Sequence, residues 1–298
     1  MNPTTVERGI FVTRLVDRRR LCREHFEITL SVENFPSARP GQFIQVLCRP
    51  PDAPHTAELG GGFLRRPFSI AGLTRSGRET RLEIVGRVVG SGTTWLSERS
   101  VGETVGVLGP LGRPFSVPAD QSSAILIAGG VGMPPIRWLA EHFRGRGMDC
   151  VAIVGARTRD LLPVGSVGVP STDGTPVMCV DAFARHDIPT TVTTDDGSCG
   201  LRGRTTDALA GLFKNHSSPD VIRVTACGPS AMLQAVGRMC IERGASCELA
   251  LERVMGCGMG TCQSCAVRVK DASAEAGWRY ALCCCEGPVF EARQLCWA

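Results

Sequence analysis

Three cysteines within nine residues, Cys257-Gly-Met-Gly-Thr-Cys262-Gln-Ser-Cys265, are followed nineteen residues later by Cys284 in the triplet Cys283-Cys284-Cys285, and this constrains the chain more than any other feature. The spacing Cys-x4-Cys-x2-Cys…Cys is that of thiolates around a plant-type 2Fe-2S cluster. A helical or extended backbone cannot bring three thiolates to one small cluster, because the chain must wrap a four-atom rhomb and turn its amides towards the inorganic sulfides. Gly256, Gly258 and Gly260 give the freedom for that wrap. Zinc is the competing occupant. Structural zinc, however, usually draws its ligands from two separated Cys-x2-4-Cys knuckles, and here a single loop carries three at unequal spacing.

The remaining composition narrows the function classes. At 298 residues the chain can form two or three domains with ample core, so its fifteen cysteines are not needed as a disulfide framework. Eight lie from Cys247 onward, and the other seven are scattered at positions that suit small buried hydrophobes. The first residues lack the apolar stretch of a secretory signal, and no later run approaches the roughly eighteen apolar residues of a membrane span. A soluble, cytoplasmic protein with reduced thiols is expected. The net charge of +4 is carried mostly by scattered Arg, with no dense basic block, which argues against nucleic acid as a partner.

Hydrophobic patterning divides the chain into three. From Ile10 to about Val117, short alternating stretches such as Phe43–Leu47 and Arg81–Val85 are separated by Gly, Pro and Ser, the pattern of a small β barrel, with Gly109-Pro110-Leu111-Gly112 as a rigid closing turn. From Ser122 the buried-strand run Ala124–Ala128 leads through Gly129-Gly130-Val131-Gly132 into a helix over Ile136–Phe143 and a second run, Cys150–Val154. That strand, glycine turn, helix, strand order begins a parallel α/β sheet with nucleotide-binding geometry. The expected boundaries are 1–118 for the barrel, 119–246 for the α/β domain and 247–298 for the cluster module. Residues 160–175 read as a loop within the second domain, and Pro51 to Gly62 as a hairpin insertion in the barrel.

Two further regions carry candidate chemistry. A glycine turn feeding a helix exposes N–H groups and the positive end of the helix dipole to a pyrophosphate, and Pro134 or Pro135 can open that helix without losing a needed donor. The third glycine of G-x-G-x-x-G is missing, and glycines at such a turn also serve close packing alone. In the barrel, Arg66-Pro67-Phe68-Ser69 offers a fixed cation and a hydroxyl, and Arg87-Val-Val-Gly90-Ser-Gly92-Thr93 a cation followed by a glycine and hydroxyl cradle. Either could be plain strand and core. Together they suggest a flavin dinucleotide site.

The order of these segments, continued by Thr193-Thr194-Asp195-Asp196-Gly197-Ser198, Cys227-Gly228-Pro229 and Glu286-Gly287-Pro288-Val289-Phe290, resembles the electron-transfer subunit of class 1B dihydroorotate dehydrogenase, a branch of the ferredoxin reductase superfamily. The likeness runs over almost the whole chain. It implies a flavin-binding barrel, a ferredoxin-reductase-like nucleotide-binding domain and a small 2Fe-2S module. It places Arg66, Pro67, Phe68, Ser69, Val85, Gly86, Arg87, Gly92 and Thr93 along FAD, with Arg87 facing the pyrophosphate. Gly130, Gly132, Asp195, Asp196 and Gly197 would approach NAD, and Cys227 would flank the nicotinamide as the catalytic position, although a plain buried cysteine at a strand end reads the same way. The cluster ligands would be Cys257, Cys262, Cys265 and Cys284. Spacing alone leaves Cys283, Cys284 and Cys285 open as the fourth, whereas the family position three residues before Gly287 gives Cys284. On an extended strand the three would alternate faces, so only one is expected to serve.

The implied activity passes electrons from dihydroorotate, through an FMN-containing catalytic subunit, to NAD⁺ in pyrimidine biosynthesis, within a heterotetramer of two subunits each. Other partners on the same architecture, as in a ferredoxin:NADP oxidoreductase or a sulfhydrogenase, are one alternative, and a zinc-binding redox sensor is another. Arg157 and Arg159 follow the second strand where a 2′-phosphate would be read, but they suit solvent equally well, so NAD against NADP stays open.

Overall fold

The computed structural model describes residues 8–51, 64–117, 123–214 and 222–297. Beyond Pro51, the segment read as a hairpin insertion lies outside the described residues.

Six antiparallel strands, β1 (Gly9–Cys22), β2 (His25–Glu33), β3 (Phe43–Leu47), β4 (Arg66–Ser76), β5 (Glu79–Arg87) and β6 (Thr104–Leu111), close a barrel in the order β1-β2-β5-β4-β3-β6. The period of two explains the closure. Ile28 and Leu30, Ile44 and Val46, Leu82 and Ile84, and Val105 and Val107 each recur at i, i+2 on one face and are fully buried together. A short helix, α1 (Ser91–Ser97), leaves β5. The expected closing turn differs: Gly109 to Leu111 complete β6, with Gly109 opposite Gly9 and Leu111 opposite Phe43. A Cβ on Gly109 would lie 2.7 Å from Ile44 Cγ2, so this glycine serves close strand approach rather than a turn.

The second unit contains β7 (Ser123–Gly129), α2 (Met133–Arg144), β8 (Asp149–Ala156), α3 (Asp181–Ala184), β9 (Thr190–Thr194), β10 (Leu201–Arg202), α4 (Thr205–Lys214), β11 (Ile222–Cys227), α5 (Ser230–Glu242) and β12 (Ser246–Ala250). The chain then forms a hairpin of β13 (Ala266–Lys270) and β14 (Trp278–Leu282), one helical turn, α6 (Cys283–Glu286), and returns as β15 (Val289–Glu291). The sheet order is β10-β9-β8-β7-β11-β12-β15, parallel except for the antiparallel pairing of β15 on β12. The boundary expected at 246/247 therefore falls inside β12, and this sheet draws two strands from the C-terminal stretch. Runs that are apolar throughout, as in β7, are what a parallel sheet covered by helices requires.

Helix α2 ties the two units. Pro134 and Pro135 stand in its first turn. Leu139, Ala140 and Phe143 pack into the sheet's core, while Trp138 enters the core of the barrel. Arg137 reaches back to the barrel, with Nη1 2.7 Å from Glu27 Oε1 and Nη2 2.5 Å from Glu83 Oε2. The opposite side of the barrel packs on the C-terminal segment: Phe43, Leu108 and Leu111 share one apolar cluster with Met255, Cys265, Cys283, Cys284 and Phe290. Among the described residues no helix is long and apolar enough to cross a membrane.

Candidate cofactor and metal site

The loop after β12 winds as its glycines permit. Gly258 has φ +73° and Gly260 φ +93°, in the left-handed region that glycine enters without a steric penalty. The winding turns main-chain amides onto sulfur: Met259 N–H and Cys262 N–H point at Cys257 Sγ at 3.3 and 3.4 Å, and Cys257 N–H at Cys262 Sγ at 3.4 Å. Across the site, Cys284 N–H donates to Cys265 Sγ at 3.3 Å, and the Cys284 thiol faces those of Cys265 and Cys285. The four expected ligands thus come as two pairs, Cys257 with Cys262 and Cys265 with Cys284. The Cys285 thiol, 3.6 Å from that of Cys284, stands against Gly260 of the same loop. Thiolates in twos are what a 2Fe-2S cluster takes from its four cysteines.

The thiols differ in environment. The Ser264 hydroxyl, with help from the Ser264 and Cys257 amides, holds exposed Cys262 down to about 6. Burial, then the neighbouring Cys265 and Cys285 thiols, pushes Cys284 well up, and burial raises Cys283 to about 12. The triplet does not alternate as a strand would. It forms the helical turn α6, whose side chains step around an axis, with Cys283 and Cys284 buried and Cys285 exposed. Glu286 stabilises this turn by accepting from Leu282 N–H at 3.1 Å and pairing with Arg279 at 2.6 Å.

Among the residues expected at the flavin, Arg66 and Gly92 are brought together: a Cβ on Gly92 would lie 3.4 Å from Arg66 Nε and 3.3 Å from Cys48 Cβ. Thr93 Oγ1 gathers Val89 N–H at 2.9 Å and Gly90 N–H at 3.2 Å. Phe68 packs into the barrel core, and its ring with that of Phe26 fills the space a side chain on Gly86 would need. Val85 is buried beside Gly86, and Pro67 lies opposite Gln45 in the β3–β4 ladder, with Ser69 opposite Phe43. Arg87 is engaged by Glu24, with Nε and Nη2 at 2.9 and 2.8 Å from Oε2, and that hydrogen bond lowers the Glu24 carboxyl. A cation expected to face phosphate thus has a carboxylate partner within the chain.

Gly132 and Cys227 meet, with Gly130 two residues before, at the C-terminal ends of β7 and β11, where strands leave in opposite directions across the sheet, the usual place for a nucleotide crevice. A Cβ on Gly132 would lie 2.0 Å from the Cys227 carbonyl oxygen, whereas one on Gly130, at φ +51°, would meet nothing within 4 Å. Burial lifts the Cys227 thiol to about 12, so it is a neutral, weakly nucleophilic group. Asp195, Asp196 and Gly197 follow β9, two strands from β7, on an exposed loop. Asp196 Oδ1 accepts from the Ser198 hydroxyl at 2.6 Å and its N–H at 3.0 Å, which lowers its carboxyl, and Ser198 Oγ accepts from Arg159 N–H at 2.8 Å.

Sequence reasoning did not find Glu24, the Glu27–Arg137–Glu83 bridge, or Gln45, whose side chain packs against Gly258. Isolated charges and a glutamine in an apolar strand carry no spacing signal. Only the break in alternation at Gln45, within Phe43–Leu47, could have pointed to one of them.

A six-stranded antiparallel barrel ahead of a parallel sheet is the ferredoxin-reductase class of flavin and pyridine-nucleotide binding folds. The chain superposes on the structure of an NADH-dependent reduced ferredoxin-NADP oxidoreductase with TM-score 0.73 and 26% identity, over 100% of this chain and 92% of that one. A ferredoxin reductase of carbazole 1,9a-dioxygenase shares the fold at 18% identity and TM-score 0.62, over 81% and 68%. Residues 252–296 match the family described as iron-sulfur cluster binding domain of dihydroorotate dehydrogenase B. Over 261 residues the chain is 33% identical to the dihydroorotate dehydrogenase B (NAD(+)) electron transfer subunit of Desulforamulus reducens, covering 87% of each. With the corresponding subunit of a Geobacillus species it shares 33% over 286 residues, 94% of this chain and 96% of that one. The chain belongs to the family of dihydroorotate dehydrogenase B electron transfer subunits, and its C-terminal segment is their iron–sulfur cluster binding domain.

Proposed function

We propose that this chain passes electrons between a dihydroorotate dehydrogenase catalytic subunit and NAD⁺ in pyrimidine biosynthesis. The observation that carries the reading is the pairing of Cys257 with Cys262 and Cys265 with Cys284 in an amide-lined loop, on a chain similar over most of its length to the dihydroorotate dehydrogenase B electron transfer subunits named above. When bound, FAD would supply exchange between hydride and single electrons, and a 2Fe-2S cluster would carry electrons singly. The chain's own work is to bind, orient and insulate. Cys257, Cys262, Cys265 and Cys284 would hold the cluster. Arg66, Pro67, Phe68, Ser69, Val85, Gly86, Gly92 and Thr93 would form the flavin site, supported by the juxtaposition of Arg66 with Gly92. Arg87 joins them by exchanging Glu24 for phosphate. Gly130 and Gly132 would admit NAD to the crevice, with Asp195, Asp196 and Gly197 on its rim and Cys227 at its floor as a neutral small side chain. Functionally, residues up to 118 serve the flavin, 119–246 the nicotinamide and 247–298 the cluster.

The partner would be an FMN-containing subunit in a heterotetramer of two each, and the fifteen unpaired cysteines suit a reducing, cytoplasmic setting. The test is the visible spectrum of anaerobically purified chain before and after NADH, with flavin, iron and acid-labile sulfide quantified. One FAD and two iron per chain, bleached by NADH, is the expected outcome, and a colourless zinc protein would overturn the reading. Full-length superposition on the ferredoxin-NADP oxidoreductase supports a second partner class. Co-purification with a dihydroorotate-oxidising subunit decides between them.

A further inference from the structure

Gln45 lies on β3 between Pro67 of β4 and Leu108 of β6, and is fully buried. Its main-chain carbonyl also accepts from Arg65 Nη1 at 3.5 Å, but neither Nε2 nor Oε1 of its side chain has a hydrogen-bond partner among the described residues. A Cβ on Gly258 would lie 2.7 Å from Gln45 Cγ and 2.8 Å from Nε2, so the carboxamide rests on the peptide next to Cys257. Buried carboxamides are nearly always paired, and leaving both ends unmet is costly. An orphan amide pressed against a ligand loop points to an acceptor that the polypeptide does not itself provide.

We propose that Gln45 is a positioning residue of the electron path, donating a side-chain N–H to a sulfur of the cluster held by the Cys257–Cys265 loop. The inference rests on the cluster reading above. Anionic sulfur accepts and does not donate, which fixes the NH₂ end, rather than the carbonyl, as the one that faces it. Met259 and Cys262 amides already approach Cys257 Sγ from within the loop, and Gln45 adds a donor from the barrel side. Because β3 pairs with Pro67, Phe68 and Ser69, the same strand supports the flavin segment and contacts the cluster loop. Hydrogen bonds to sulfur favour the more negative, reduced state and so raise the reduction potential.

The test is an EPR-monitored titration of the full chain with its cofactors, for the wild type, Gln45→Leu and Gln45→Asn. Gln45→Leu is expected to keep its iron and sulfide but to titrate at a more negative potential. Gln45→Asn, whose amide is one methylene short, should shift less in the same direction, with the flavin potential unchanged in both. Pulsed EPR of reduced wild type carrying side-chain ¹⁵N-glutamine should show a weak nitrogen coupling that is absent from Gln45→Leu. A fully loaded Gln45→Leu at the wild-type potential would refute the proposal, as would a shift confined to the flavin. If Gln45→Leu loses its cluster, the wild-type nitrogen coupling and the Gln45→Asn potential decide, and absence of both effects refutes it. Wild type lacking iron and sulfide would instead remove the cluster reading itself.

Discussion

The cluster loop and the turn after β7 are both glycine-rich, yet their glycines do opposite work. In the loop, Gly258 and Gly260 take positive φ so that the chain can fold back and present thiols and amides to a ligand. In the turn, Gly132 is needed because the Cys227 carbonyl stands where a Cβ would be, while Gly130 faces open space. One site is made of side chains set by a flexible backbone. The other is made of backbone, with side chains excluded.

Substituting one thiol therefore separates the two most sharply. Cys257→Ser, Cys262→Ser, Cys265→Ser and Cys284→Ser are each expected to abolish the cluster, measured as acid-labile sulfide, while NADH-driven reduction of a small dye acceptor persists. Cys283→Ser and Cys285→Ser should retain it, and retention in Cys284→Ser with loss in either neighbour would break the pairing described above.

The next effect lies on the helix that the glycine turn opens. Replacing Arg137 by Met removes one of the two cations on the nearly buried Glu27 and leaves it Arg19 alone, which should cost about 1–3 kcal/mol in denaturant unfolding. Burial would raise the Glu27 carboxyl, but Arg137 and Arg19 outweigh it, and the net shift is downward. That stabilisation is present above the ordinary glutamate value of 4.5 and is lost as pH falls through the lower folded-state value. In Arg137→Met the acid transition should move to higher pH, and an unchanged acid limb would show that the bridge does not clamp the units.

Glycine substitutions sharpen the contrast further. Gly132→Ala must displace the Cys227 main chain, at about 1–3 kcal/mol, and should raise the KM for NADH along with it. Gly130→Ala meets no atom and carries only left-handed strain of about 1 kcal/mol, so its melting temperature should fall by much less. Equal losses would mean that crowding is not what demands glycine at 132.

This division also explains what could be read in advance. The cysteines announced themselves by type and spacing, and strands such as Arg81–Val85 by alternation, because those signals are local. The nucleotide crevice was legible only through the order of its segments, since backbone geometry leaves little trace in residue type. The triplet at Cys283 was read as strand from its surroundings, but Glu286 reaches back to Leu282 N–H and closes a helical turn. Arg87 was read as a free cation because Glu24, 63 positions away, becomes its neighbour only when β2 and β5 pair.

The route of the chain from β12 out to the cluster loop and back as β15 has a practical corollary. The iron–sulfur segment begins and ends on neighbouring, hydrogen-bonded strands, at Ala250 and Val289, so its two ends are already spliced side by side. An exchange of that segment between relatives therefore leaves the sheet's splice points in place and has to match only the barrel face formed by Phe43, Gln45, Leu108 and Leu111. Truncation before β12 would instead strip the sheet of two strands and leave β11 as a raw edge, exchanging a missing cofactor for an aggregation-prone protein.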